Sequence, residues 1–119
     1  MADAGQPKGT LEAARAVATT DLVTVAPDAV VSRTLVKAGG GSVTAFAFDA
    51  GQGLSEHSAP FDALVQLVDG AMTITIGGQP TRLAAAEMIL MPADIPHALE
   101  AHEPSRMILV MIRGTAKGE

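Results

Sequence analysis

The chain has 119 residues, a length that fits one domain with a modest hydrophobic core. Its formal net charge of −5 argues against a nucleic-acid-binding surface, which needs a basic patch. The absence of cysteine excludes disulfides and thiol chemistry. The first residues do not resemble a signal peptide, and no apolar stretch is long enough to span a bilayer. We therefore expect a cytoplasmic protein without a membrane or nucleic-acid partner.

The first 29 residues are predicted to form a tail with one short helix. Residues 1–9 are small and polar, as in a loose terminal segment. Thr10 is a candidate N-cap for a helix over Leu11–Ala18, where Ala, Leu, Glu and Arg are good helix formers. So short a helix is marginal by itself, and we expect the body of the protein to hold it.

From about Val30 onward the sequence has the pattern of β-strands. Apolar residues alternate with small or polar ones, a period of two that is typical of strands with two distinct faces. The predicted strands are Val30–Lys37, Ser42–Asp49, Leu54–Ser58, Ala63–Val68, Ala71–Ile76, Met88–Met91 and Met107–Ile112. Asp69-Gly70 and Gly77-Gly78 are predicted hairpin turns. Many short strands separated by Gly and Pro favour a sandwich or a barrel.

Two histidine-containing segments carry a resemblance to a known family. The first, in GLSEHSAPFDALVQLVDG, has Gly51, His57 and Gly70 at the spacing of the first cupin motif. The second, MILMPADIPHALEA, has Pro92 and His97 at the spacing of the second motif. The sequence resembles the small single-domain cupins, the RmlC-like proteins with a type-2 conserved barrel.

The resemblance covers roughly residues 30–112, which is most of the chain. It implies an all-β fold, a cupin-type jelly-roll barrel, here with a short N-terminal helix. We therefore divide the chain into a tail and short helix over residues 1–29, a barrel over 30–113 and a polar tail over 114–119.

The metal site that the resemblance implies is incomplete. In metal-binding relatives, two His and a Glu of the first motif and one His of the second point into the barrel mouth. Ala59 and Ala63 stand at the positions of the second His and the Glu, so His57 and His97 remain. A catalytic first-row metal needs at least three protein ligands. We expect at most partial occupancy by a divalent ion (Mn, Fe, Zn or Ni), with His102 as the first candidate for a third ligand.

Each candidate for a third ligand also has a simpler explanation. His102 follows His97 by five residues, so alternation places it on the opposite face unless a bulge intervenes. Glu56 is next to His57 and is expected to face solvent. The remaining candidates are polar residues near the motifs: Gln52, Asp62 and Glu100.

Three functions remain open from the sequence. The first is binding of a small molecule in the barrel mouth through His57 and His97, with Gln52 and Met91 contributing to the site. The second is a metal-dependent enzyme of the isomerase, dioxygenase or lyase type with a non-standard ligand set. The third is a non-catalytic remnant or an interaction module. The missing ligands favour the first, and the fold alone cannot decide.

Two further expectations concern geometry and assembly. His57 and His97 are predicted to face each other across the mouth and to form the polar end of an apolar pocket. A homodimer is predicted, because Thr10–Val25 carries more apolar residues than a free tail needs and because barrels of this kind commonly pair.

Overall fold

The computed structural model describes residues 9–113, and within them the chain forms nine β-strands. In chain order they are β1 (Val30–Ala38), β2 (Gly41–Phe48), β3 (Gly53–His57), β4 (Asp62–Asp69), β5 (Ala71–Ile76), β6 (Gln79–Ala84), β7 (Met88–Met91), β8 (His97–Ala101) and β9 (Ser105–Ile112). They make a five-stranded sheet in the order β1-β2-β9-β4-β7 and a four-stranded sheet in the order β3-β8-β5-β6. The pairs are antiparallel, and the predicted all-β jelly roll is confirmed. The C-terminal tail predicted over 114–119 lies outside the described residues.

The hydrophobic core lies between the two sheets, and the period-two pattern of the strands explains it. In β2, Phe46 and Phe48 belong to the core between the sheets, while Ala45 and Ala47 face the outer side of the five-stranded sheet. With few aromatic residues available, the core is filled by Val, Leu, Ile, Met and Ala. Its buried members are Phe48, Ala63, Val65, Leu67, Met72, Ile74, Leu83, Met91, Leu99, Ala101 and Met107.

The short N-terminal helix predicted over Leu11–Ala18 does not form an α-helix. The backbone N–H groups of Thr10 and Leu11 donate to carbonyls of β1 at 3.1 Å each, so the chain runs beside that edge strand. The hydroxyl of Thr10, the expected cap, donates to the carbonyl of Thr34 at 2.8 Å instead. Pairing with β1 outweighs the weak helical preference of a short segment. The one helical element in residues 9–113 is a 3-10 turn, Thr19–Asp21, too short to cross a membrane.

Residues 10–25 cover part of the outer face of the five-stranded sheet. The Arg33 guanidinium donates to the carbonyl of Leu22 at 3.0 Å, and that of Arg106 donates to the carbonyl of Thr20. Beneath them lies a second apolar cluster whose buried members are Leu22, Val23, Leu35, Ala45 and Ala47. The N-terminal segment is therefore packed onto the barrel through Leu11, Leu22, Val23 and Val25, whereas Val17 stays 48% exposed.

The hairpin predicted at Asp69-Gly70 is wrong. The flanking strands β4 and β5 lie in different sheets, so this turn carries the chain from one sheet to the other. Gly70 has a φ of +97°, and a Cβ at this position would collide with the hydroxyl of Ser105. Asp69 forms an ion pair with Arg106 on β9 at 2.7 Å. Glycine is needed at position 70 because the turn has a positive φ and packs closely against Ser105. The turn is not a hairpin, because β4 and β5 form no hydrogen-bonded pair with each other.

Two strands, β6 and β8, are not predicted from the sequence. The side chains of β6 are mostly exposed, and β8 is only five residues long and begins directly after Pro96. Both strands pair with β5 and so complete the four-stranded sheet. The hairpin predicted at Gly77-Gly78 is confirmed, because it joins β5 to β6 with Ile76 opposite Gln79.

Candidate functional site

A cavity of about 50 Å³ opens between the two sheets at one end of the barrel. Five strands (β3, β4, β7, β8 and β9) and the loop after β3 supply its walls. Its lining residues are two histidines and eight apolar residues: Leu54, His57, Ala59, Ala63, Met91, His97, Leu99, Met107, Leu109 and Met111. The four motif positions, two histidines and two alanines, therefore share one cavity.

A bulge in β3 turns His57 toward the cavity. Leu54 lies opposite Leu99 on β8, and His57 lies opposite His97, so three steps along β3 match two steps along β8. Without the extra residue, strict alternation would place Leu54 and His57 on opposite faces. With it, both side chains line the same cavity.

The two imidazoles meet at the mouth, as the motif spacing predicts, but they lie side by side on the adjacent strands β3 and β8 of one sheet and not on facing walls. The Nε2 atoms of His57 and His97 are 3.2 Å apart, and the ring centroids are 4.5 Å apart with an interplanar angle of 74°. His97 is buried, whereas His57 lies exposed at the rim. The His97 ring thus faces the interior, and the His57 ring lies at the entrance.

Each ring is anchored through its other nitrogen. The Nδ1 of His57 lies 2.8 Å from the carbonyl of Ser55, and the Nδ1 of His97 lies 3.2 Å from the carbonyl of Ile95. Because a carbonyl oxygen only accepts, Nδ1 carries the proton in each neutral ring, and Nε2 is left as an acceptor. Two acceptors at 3.2 Å do not bond each other. A hydrogen-bond donor or a cation placed between them can interact with both nitrogens at once.

The surroundings of His97 favour its neutral form. Burial lowers the pKa of His97, and repulsion between its charge and that of His57 lowers it further. The hydrogen bond to the Ile95 carbonyl acts in the opposite direction and is the smallest of the three effects. The Nε2 lone pair of His97 is therefore available at neutral pH.

The structure brings Met91 to the cavity but not Gln52 or His102. The backbone of Gln52 accepts a hydrogen bond from the N–H of Ala101 at 2.9 Å and so ties the loop before β3 to β8. The Nε2 of His102 lies 2.6 Å from the hydroxyl of Thr73, in an exposed pair away from the mouth. The pairing of β8 with β5 is regular from His97 to Ala101, so no bulge there turns His102 toward the cavity.

The residues present do not fit the divalent metal site implied by the resemblance. Ala59 and Ala63 line the cavity where a second His and a Glu are expected. In the part of the chain that the structure describes, no group of three or more His, Cys, Asp or Glu could hold a metal ion. Two imidazoles fall short of the three protein ligands that a catalytic first-row ion requires.

Five lining residues were not assigned to the site from the sequence. They come from β3, β8 and β9: Leu54, Leu99, Met107, Leu109 and Met111. Because β9 is apolar on both faces, its sequence does not show which residues point inward. For Met107 and Met111, the one feature of the sequence that points to a cavity wall is the recurrence of methionine in the strands.

Comparison with known proteins identifies the family. The family described as Cupin domain matches residues 45–113. The chain belongs to the cupin family. A solved structure of a conserved protein of unknown function from Streptococcus pyogenes has a TM-score of 0.84 and 40% identity, covering 89% of this chain and 93% of that one.

Two further solved structures are similar to this cupin. A cupin 2 conserved barrel domain protein from Leptotrichia buccalis is 34% identical, with a TM-score of 0.77, covering 79% of this chain and 46% of that one. A cupin superfamily protein from Desulfitobacterium hafniense has a TM-score of 0.83 over 90% of this chain and 99% of that one, but at 21% identity it shows the fold alone. No curated protein gives a significant match.

Proposed function

We propose that this cupin binds a small molecule in the barrel mouth, with the Nε2 atoms of His57 and His97 as its polar contacts. One observation carries the proposal. Both Nδ1 atoms are engaged by backbone carbonyls, so two Nε2 acceptors lie 3.2 Å apart at the end of an apolar cavity. A ligand with a hydrogen-bond donor at one end and an apolar body complements this arrangement.

The size and the polarity of the cavity narrow the class of ligand. A volume of about 50 Å³ holds a few water molecules or a ligand of a few heavy atoms, far below the ~300–1,000 Å³ of pockets for larger ligands. An alcohol, an amide or an ammonium group brings the donor that two lone pairs need. A carboxylate has no donor, and it would place its charge against the lone pairs of two neutral rings.

The other functions left open by the sequence have less support. A metal-dependent enzyme needs ligands that Ala59 and Ala63 do not provide, so divalent metal at partial occupancy stays a prediction. A non-catalytic remnant predicts the histidine pair without a cavity, whereas here the pair lines one. The cytoplasmic location also stays a prediction.

Thermal shift and calorimetry with a panel of small ligands test the proposal. The panel pairs short alcohols, amides and amines with carboxylates of matched size. We expect donor-bearing ligands to raise the melting temperature of the wild type, since ligand binding stabilises the native state by mass action. Replacing both rings, by His57→Phe with His97→Phe, should abolish the shift.

The control substitution is His102→Phe, which makes the same change outside the cavity and should leave binding intact. Circular dichroism of the double variant must retain the β-sheet spectrum. Binding of carboxylates alone, or equal binding by the double variant, would show that the Nε2 pair is not the polar contact.

A further inference from the structure

The cavity is rich in sulfur. Three of the chain's six methionines line it: Met91 on β7, and Met107 and Met111 on β9. These strands belong to the five-stranded sheet, whereas the two histidines come from the four-stranded sheet. Thioether-bearing side chains and imidazoles therefore face one cavity from opposite walls.

The register places two of these methionines around one small residue. Ala63 on β4 lies directly opposite Met91 on β7 and directly opposite Met111 on β9. Residues paired in this way have Cβ atoms about 4.5–5.5 Å apart. The methyl group of Ala63 leaves space between the two flexible thioether chains, where a larger residue would separate them.

The donor set differs in kind from that of a divalent cation site. Its nitrogen and sulfur donors are neutral, and the cavity lining contains no carboxylate. Thioether ligands are soft and select Cu(I), whereas carboxylates suit harder ions. The cost of burying an ion rises with the square of its charge, so an apolar cavity without a counter-charge accepts a monovalent ion more readily than a divalent one.

The separation of the nitrogen atoms suits a shared ion. Two ligands about 2.0–2.1 Å from one ion in tetrahedral geometry lie about 3.3 Å apart. The two Nε2 atoms are 3.2 Å apart, and both histidines line the cavity. They can bind one ion with little movement of the rings.

We propose that His57 and His97, with the thioethers of Met91 and Met111, form a binding site for a cuprous ion. The site uses the same pair of Nε2 atoms as the proposed function and rests on it to that extent. The two Nε2 lone pairs repel each other at 3.2 Å, and a cuprous ion between them supplies positive charge that removes this repulsion. The apolar walls then shield it from water and from hard competing ligands.

Competition with a chromophoric Cu(I) chelator, under anaerobic conditions with ascorbate as the reductant, tests the inference. Cu(I) alone is the probe, and Zn(II), Mn(II) and Ni(II) are compared in separate titrations. We expect one equivalent of Cu(I) per chain, bound at least about a hundredfold more tightly than any of the divalent ions. X-ray absorption should show both nitrogen and sulfur in the copper shell.

Two sets of variants separate this inference from the proposed function. Met91→Leu with Met111→Leu conserves side-chain volume and should weaken Cu(I) binding at least about tenfold, while the donor-bearing ligands still bind the histidine pair. Met88→Leu, at an exposed methionine outside the cavity, is the matched control and should change neither. His57→Phe with His97→Phe should abolish both.

The inference is overturned if Cu(I) binds no more tightly than Zn(II), if the copper shell lacks sulfur, or if the Met91/Met111 variant holds Cu(I) as the wild type does. In each case, continued binding of donor-bearing ligands would leave the proposed function standing. Loss of those ligands in the wild type would remove the proposed function itself, whatever the copper titration shows.

Discussion

At the scale of single residues, the chemistry of the mouth depends on which nitrogen of each imidazole carries its proton. The carbonyls of Ser55 and Ile95 each lie two residues before a histidine and engage its Nδ1. The same local contact thus places the proton of each neutral ring on Nδ1 and leaves the two Nε2 atoms, 3.2 Å apart, as acceptors. The mouth can accept hydrogen bonds or coordinate a cation, but its neutral side chains offer no N–H or O–H donor.

Ala59→His should convert the mouth into a divalent metal site. Ala59 lines the cavity, so an imidazole at this position would provide the third ligand that the wild type lacks. We expect the affinity for Zn(II) and Ni(II) to rise at least about tenfold, measured by competition with a metal-binding dye. Ser58→His, one residue earlier and exposed, should have no such effect. Equal gains in the two variants would mean that Ala59 does not face the histidine pair.

Part of the site follows from spacing and part does not. The motif intervals alone place His57, Ala59, Ala63 and His97 around one mouth, where the structure also has them. Met107 and Met111 cannot be assigned in this way, because all residues of β9 from Met107 to Ile112 are apolar and both faces of the strand look alike in the sequence. Which face of β9 points inward depends on its register with β2 and β4, and register is a tertiary property.

At the scale of elements, the N-terminal segment and β3 show where local patterns fail. Helix propensity predicts a helix over Leu11–Ala18, but the edge of β1 offers backbone partners that the isolated sequence cannot reveal. In β3, Ser55 and Glu56 together occupy the interval that one residue would fill in a regular ladder. A bulge of this kind has no reliable signal in one sequence, although it decides the direction of His57.

Gly70→Ala should destabilise the barrel strongly. Gly70 joins β4 to β5 with a φ of +97°, and a methyl group there would collide with Ser105 Oγ and the Pro104 carbonyl. A left-handed conformation combined with a steric collision should cost more than about 2 kcal/mol of unfolding free energy.

Urea denaturation followed by circular dichroism measures this change in unfolding free energy. The matched control is Gly39→Ala in the turn between β1 and β2, where a Cβ meets no atom within 4 Å. That variant should lie within about 0.5 kcal/mol of the wild type. If both variants lose a similar amount of unfolding free energy, the turn at Gly70 is no more sterically constrained than the turn at Gly39, and the prediction is wrong.

At the scale of the whole molecule, the outer face of the five-stranded sheet is only partly covered. A row of aliphatic residues crosses four strands in direct register: Val43, Val110, Leu64 and Leu90. The N-terminal segment covers the end near β2, while Leu90 is 50% exposed at the other end. Met88 and Ile112 flank the row at 57% and 48% exposure. Exposed apolar surface of this kind is compatible with an interface to another chain.

We predict that this face pairs with a second copy of the chain. A two-fold interface brings a patch against itself, and a patch of aliphatic side chains meets its copy without repulsion despite the net charge of −5. With strands about 4.8 Å apart, four strands and three rows of residues make a patch of about 400 Å². Because a standard interface buries about 800 Å² per partner, we expect a dimer that dissociates at micromolar concentrations.

Light scattering across a concentration series tests the pairing. Leu90→Glu adds a charge to the patch and, across a two-fold axis, places it near its own copy, so this variant should stay monomeric. Thr81→Glu puts the same charge on the exposed part of β6 in the other sheet and should dimerise as the wild type does. A wild type that is monomeric at all concentrations, or equal dimerisation by Leu90→Glu, would contradict the prediction.

The claim that the mouth presents two Nε2 lone pairs is tested most directly by nitrogen-15 NMR of the histidine side chains in metal-free protein at about pH 8, above the ordinary histidine pKa of about 6.5. Single substitutions of His57 and His97 assign the resonances. The structure predicts that both rings carry their proton on Nδ1 and that both Nε2 resonances shift when a donor-bearing ligand or Cu(I) is added. A proton on Nε2 of either ring in the metal-free, ligand-free protein would contradict the account.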